Sequence, residues 1–215
     1  MNPASITPTF ISSNTVVAHA PLVPEIMLHL ATEITPIWHA TEQFLRETNT
    51  EPPFWAFAWP GSQALARYIL DTPSSVAGRR VLDFAAGNGL AAIACALAGA
   101  ASVEAAEIDP VATAACRMNA ALNEVSVDAL TADLVGAACR WDLIVCGDVC
   151  YEAPMTQHIL PWLRDMAKHA EVWIADPGRA YRPAGMLPFA EYDVPTTREL
   201  EDRDSRHTIL HRLSP

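Results

Sequence analysis

The 215-residue chain is 51% hydrophobic and 18% charged, which excludes a disordered chain and argues for one domain with a substantial core of its own. Lys and Arg number 14 against 25 Asp and Glu, a net charge of −11 that argues against a nucleic-acid binder, since that would need a basic stripe. Cys95, Cys116, Cys139, Cys146 and Cys150 lack Cys-x-x-Cys spacing and read as small buried hydrophobes in a reducing compartment; the histidines show no metal-ligand spacing, so no metal site is expected. No apolar run is long enough to cross a membrane. The first basic residue is Arg46, so neither a secretory signal nor a transit peptide is expected and the cytoplasm is the expected location.

In chain order, residues 1–23 read as a loose arm and 24–50 as helical, with Ile26, Leu28, Leu30 and Ile34 before the Pro36 break and a short second helix from Trp38 to Leu45. The Trp- and Pro-rich PPFWAFAWPG at 52–61 reads as an extended segment or loop, followed by a helix from Ser62 to Leu70. These bounds give an N-terminal arm with helices over 1–50 and a main domain over 51–215. From residue 79 the pattern alternates: strand RRVLDFA, helix GLAAIACALAGA, strand SVEAAEI, helix Pro110–Asn123 capped by Asp109, strands VDALTA and WDLIVCGD, a helix over 154–169 interrupted or restarted at Pro161, and strand EVWIAD. Alternation of this kind means βαβ units and a mostly parallel sheet. LPFAEYDV and RHTILHRL, separated by RELEDRDS, are expected to form a final antiparallel pair at the sheet edge, with His207 and His211 at surface positions.

The most informative segment is VLDFAAGNGLAAIA, 81–94, in which a buried strand enters a turn with Gly87 and Gly89 and then a helix. Glycines let a ligand approach the backbone, and the helix N-terminus offers free N–H groups. Gly87, Gly89 and Ala92 satisfy G-x-G-x-x-A with Glu107 twenty residues after Gly87, so a dinucleotide has to be weighed. Asp83 argues against it, because a carboxylate at the strand end would repel pyrophosphate but suits the sulfonium and ammonium of S-adenosylmethionine. Glu107, ending the second strand, is placed to accept the ribose hydroxyls. Asp133, after the third, is either a partner for the adenine amino group or a cap. Trp59 and Gly61 lie where Trp55, Phe57 and Trp59 would lid the cofactor, shape an acceptor channel, or plug the sheet edge. Ala85 stands where glycine is commoner and is small enough to leave cofactor space.

WDLIVCGDVCY, 141–151, empties into Gly-Asp-x-x-Tyr, on the same side of the sheet as the glycine turn. A carboxylate at Asp148 would hold an amine and steady its developing positive charge; Tyr151 would wall an alkyl ammonium. The plainer readings are a loop acid or cap for Asp148 and a packed aromatic for Tyr151.

Taken together, PFWAFAWPGSQALARYILD, VLDFAAGNGLAAIA, AEIDPVA, WDLIVCGDVCY and ADPGR, in that order, resemble the electron-transfer flavoprotein β-subunit lysine methyltransferases, seven-β-strand enzymes with a D-x-x-Y motif. The resemblance runs from about 22 to Arg182 and leaves the stretch after about 183 unmatched. It implies a Rossmann-like class I methyltransferase fold with S-adenosylmethionine as donor. The implied acceptor is a lysine ε-amine of a protein, expected to be the electron-transfer flavoprotein β-subunit. It further implies cofactor contacts from Asp83, Gly87 and Glu107, and an acceptor motif at Asp148 and Tyr151. A ribosomal-protein or small-molecule N-methyltransferase, and a catalytically silent cofactor-binding partner protein, are the competing expectations.

Overall fold

The computed structural model describes residues 3–32 and 53–215. Helix α1 (Pro3–Asn14) leads into an antiparallel hairpin of β1 (Val16–Ala20) and β2 (Val23–Leu30). The hairpin corrects two expectations, since the arm is structured and the helix expected from residue 24 is a strand over Val23–Leu30. Ile26 and Leu28, two positions apart, are both buried in the main core, which is strand periodicity. The expected helix from Trp38 to Leu45 lies outside the described residues.

A 3-10 turn at Phe54–Ala56 precedes α2 (Pro60–Asp71). The alternating part follows as β3 (Arg80–Phe84), α3 (Leu90–Leu97), β4 (Ser102–Glu107), α4 (Pro110–Leu122), β5 (Asp128–Thr131), β6 (Leu143–Cys146), α5 (Ala153–Met166) and β7 (Glu171–Asp176). Asp109 caps α4 as expected, its side chain accepting from the Val111 N–H at 2.7 Å. Helix α5 runs through Pro161 without restarting; its buried face of Ile159, Trp162, Leu163 and Met166 continues across the proline. The chain ends with β8 (Met186–Pro195), the one-turn helix α6 (Arg198–Glu201) and β9 (Ser205–Leu213).

The main sheet has the order β5-β4-β3-β6-β7-β9-β8, parallel from β5 through β7 and antiparallel over its last two pairings. The expected C-terminal antiparallel pair is therefore present at one edge. All four residues of β6 are buried, as a strand covered on both faces requires. One face packs with α2, α3 and β2 in a core that includes Leu65, Ile69, Leu90, Ile93, Ile26 and Leu28. The other packs under α5 through Ile144, Ile159, Trp162 and Leu163. His207 is exposed, but His211, expected at the surface, is buried on β9, where desolvation pushes its pKa down. The strand order reverses between β3 and β6, so the crevice beyond their carboxyl ends is where such a sheet takes a ligand.

Candidate active site

A cleft of about 620 Å³ opens at that switch point, within the usual range for small-molecule sites. Of the sequence-predicted residues, Trp59, Gly87, Glu107, Asp133, Asp148 and Tyr151 line it. Asp83, Gly61 and Gly89 do not; each lies one layer behind the wall and acts on it through a neighbour.

The glycine turn forms one wall. Ala85, Gly87 and Gly89 all adopt positive φ, of 56°, 54° and 79°. Alanine therefore occupies a left-handed position that glycine takes without strain. The Gly87 N–H donates to Glu107 Oε2 at 3.0 Å, and Glu107 Oε1 accepts from Ile108 N–H at 2.7 Å, which fixes the carboxylate at the end of β4. A Cβ at Gly87 would meet nothing within 4 Å, so the backbone there faces open space. Asn88 ties the turn to the aromatic segment, donating from Nδ2 to the Phe57 carbonyl at 3.0 Å. Its own carbonyl accepts from Asn119 Nδ2, while Asn119 Oδ1 accepts from the His29 N–H of β2. Nothing in the sequence pattern marked Asn88 or Asn119 beyond their being polar within apolar stretches.

Asp83 sits beneath this turn, 2% exposed, with Oδ2 accepting from the Ala92 N–H at 2.9 Å. Burial pushes its pKa up to about 7; the Ala92 N–H opposes that shift, and the Glu107 charge adds to it. Gly89 caps α3 where a Cβ would lie 2.4 Å from Cys116 Sγ, so the absence of a side chain there lets α3 and α4 pack closely.

Asp148, Tyr151 and the aromatic segment also line the cleft. The Phe54 ring lies 5.9 Å from Trp59 and 5.8 Å from Tyr151, centroid to centroid, forming a rim on which Tyr151 is 41% exposed. Asp148, its side chain 9% exposed, accepts from the Gly61 N–H at 2.9 Å and from Arg179 Nε at 2.7 Å. A Cβ at Gly61 would sit 2.9 Å from the Asp148 nitrogen and 3.0 Å from the Ala175 carbonyl oxygen. Gly61 thus packs against Asp148 and the end of β7, behind the cleft lining. Burial raises the Asp148 pKa against the lowering pull of Arg179. Arg179 was not singled out from the sequence as a site residue, although it closes the quoted ADPGR segment. Asp133 accepts from the Val135 N–H at 2.9 Å through Oδ1 and pairs with His158 Nε2 at 2.8 Å through Oδ2. It both caps its turn and lines the cleft.

Similarity to known proteins agrees with this geometry. A protein of Danio rerio named electron transfer flavoprotein beta subunit lysine methyltransferase is 40% identical over 95% of this chain and 73% of its own length. Its namesake in Xenopus laevis is 38% identical over 96% of this chain and 87% of its own. The chain belongs to the electron transfer flavoprotein beta subunit lysine methyltransferase family. It is an S-adenosylmethionine-dependent protein-lysine N-methyltransferase. Matches over 95% and 96% of the chain also reach into the segment after 183 that the sequence reading left unmatched. The family described as Ribosomal protein L11 methyltransferase (PrmA) matches residues 63–151. The fold is shared with the T. thermophilus 16S rRNA N2 G1207 methyltransferase (RsmC), solved with AdoMet and guanosine. That match has a TM-score of 0.56 and 16% identity, over 94% of this chain and 50% of that one.

The lining of the methyltransferase cleft suits its donor. Five carboxylates, Glu107, Asp109, Asp133, Asp148 and Glu152, face it, and among the described lining residues Arg179 is the only Lys or Arg. That charge balance accommodates a sulfonium and an ammonium and disfavours a pyrophosphate. The backbone at Gly87 is open to a close approach, and the Glu107 carboxylate beside it is fixed in place, the chemistry a ribose could use.

Proposed function

We propose that the enzyme methylates lysine ε-amines of the electron transfer flavoprotein β-subunit, with Asp148 and Tyr151 receiving the acceptor. The observation that carries this reading is the Asp148 carboxylate in a cleft rimmed by Phe54, Trp59 and Tyr151, the same cleft that Gly87 and Glu107 line. Bound S-adenosylmethionine supplies an electrophilic methyl on a sulfonium sulfur. On the cofactor side, Gly87 gives backbone access, Glu107 accepts from the ribose, Asp133 meets the adenine amino group, and Trp59 covers the site. Asp83 acts from beneath, holding the first turn of α3 through Ala92.

A lysine ammonium with an ordinary pKa of about 10.4 has no lone pair and must lose a proton to water before it attacks. Asp148 attracts and orients the cation and steadies the charge that re-forms on the methylated nitrogen. The aromatic rim offers ring faces to the same cation. Activity should therefore rise from pH 7 to pH 9. The net charge of −11 supports recruitment of a basic target segment, and that attraction should weaken with salt. The cytoplasm is the proposed setting, a reading supported by five free cysteines of which four are buried.

The test is Asp148→Ala with purified electron transfer flavoprotein β-subunit and labelled donor. Donor affinity should persist while most turnover is lost. Wild-type turnover by the variant would remove Asp148 from the acceptor site. The PrmA match over 63–151 favours a second reading, methylation of a ribosomal protein; label appearing on that protein in a lysate, and not on the flavoprotein subunit, would select it.

A further inference from the structure

Asp148 does not stand alone. It begins a chain of four alternating charges that leads out of the cleft into the C-terminal segment. Arg179 follows the tight turn after β7, its N–H donating to Asp176 Oδ1 at 2.9 Å, so its backbone is fixed. Its Nε binds Asp148 Oδ1, while Nη1 and Nη2 reach Glu201 Oε2 and Oε1 at 3.1 and 2.5 Å. Glu201, at the end of α6, has a side chain only 2% exposed and also accepts from Arg206 Nε at 2.8 Å. Arg206 Nη2 donates to the Glu201 carbonyl as well. A carboxylate buried this deeply is costly unless well-placed partners pair it, and Glu201 has two arginines.

The arrangement divides one guanidinium between two carboxylates. If Arg179 paired with Asp148 alone, the two charges would cancel and Asp148 would offer little to an incoming ammonium. Glu201 takes the two Nη groups, and Arg206 balances Glu201 from the far side. We propose that Glu201 is a positioning residue for methyl transfer: by gripping the Arg179 guanidinium it prevents full pairing with Asp148 and leaves that carboxylate available to the acceptor lysine. The proposal rests on the placement of the acceptor at Asp148. The groups that face Asp148 are the Gly61 N–H from α2, Arg179 from the turn after β7, Glu201 from α6 and the Cys150 thiol of its own loop. Among these Arg179 lowers the Asp148 pKa and Glu201 raises it, so removing each should move its titration in opposite directions.

The probe is a peptide of the flavoprotein β-subunit in which the acceptor lysine is trimethylated, a cation that does not titrate, with binding followed by fluorescence anisotropy from pH 5 to pH 8. For Glu201→Gln the peptide Kd should rise about tenfold at pH 8, the scale of one charged contact weakened. Its loss of binding at low pH should move to lower pH, and Arg179→Gln should move that loss to higher pH. Glu201→Asp, which keeps the charge, should restore part of the affinity, and donor affinity should be unchanged in Glu201→Gln. Wild-type affinity and pH dependence in Glu201→Gln, or limbs that move together in the two variants, would overturn the proposal. Should Glu201→Gln fail to fold, Glu201→Gln/Arg206→Gln removes a charge pair together and carries the same expectations. Asp148→Asn separates the two levels. Peptide binding lost there but intact in Glu201→Gln overturns only the role of Glu201, whereas binding intact in Asp148→Asn overturns the acceptor placement itself.

Discussion

Gly89→Ala probes the join between the glycine turn and the helix layer. Gly89 caps α3 at φ 79°, and an added Cβ would lie 2.4 Å from Cys116 Sγ and 3.2 Å from Cys116 Cβ in α4. Two costs follow from different causes. An L-residue in the left-handed region costs about 1–2 kcal/mol, and overpacking a closed core about 1–3 kcal/mol. Their sum, about 2–5 kcal/mol, is a large share of the 5–15 kcal/mol that usually holds a domain of this kind together. Cys116→Ala separates the terms, because it removes Sγ and leaves the Cβ contact, while the backbone strain is untouched. Urea unfolding of the wild type, both single variants and the double variant gives the cycle. Gly89→Ala should cost less in the Cys116→Ala background, where the Sγ clash is gone and the backbone strain and the tight Cβ contact remain, a coupling of about 1–2 kcal/mol. Additive single effects would show that the turn and α4 are not in the contact described here.

Ala85→Gly relieves the other left-handed position in the turn; the gain is partly offset by the greater freedom of glycine in the unfolded chain, so stability should rise by about 0.5 kcal/mol in urea unfolding, and a clear loss would refute the strain. Asp83 has a folded pKa of about 7 against an ordinary 3.8, so the stability it contributes is fully present below about pH 4 and is lost as pH rises through 7. Asp83→Asn keeps an acceptor for Ala92 and should flatten the urea midpoint between pH 4 and pH 7, where the wild type loses up to about 1.4 kcal/mol per pH unit from this group; parallel profiles would refute the buried titration. Glu107→Ala should weaken S-adenosylmethionine binding by about 1–3 kcal/mol in calorimetry, the cost of lost charge-assisted hydrogen bonds, and an unchanged affinity would point to another ribose partner.

The alternating part of the fold was legible because each strand from β3 to β7 is a short apolar run followed by a turn and a helical pattern. The N-terminal hairpin was misread although its signal was present. Ile26, Leu28 and Leu30 fall two apart, the strand period, and the helical reading came from including Ile34 in the same set. Pro161 misled in the opposite sense. A proline inside a helix loses a hydrogen bond, but the apolar face of α5 holds the helix together on both sides of it.

The candidate site was legible where a residue stands at the carboxyl end of a strand, since the topology of an α/β sheet gathers those ends. Glu107, Asp133 and Asp148 meet in one cleft for that reason. Position in the chain does not tell which way a group faces, and so Asp83 at the end of β3 and Gly61 at the start of α2, equally well placed in sequence, lie behind the wall. What sequence order hides most completely is a pair made across the fold. Arg179 meets Asp148 across 31 positions and Glu201 across 22. Within RELEDRDS, the charged stretch between the last two strands, Glu201 is the residue turned inward to grip that arginine. Burying a carboxylate there is expensive, and the residue that repays it is the one bonded to the candidate acceptor acid. The C-terminal antiparallel pair therefore does more than finish the sheet edge, because its connecting segment carries the charge that divides Arg179 between Asp148 and Glu201.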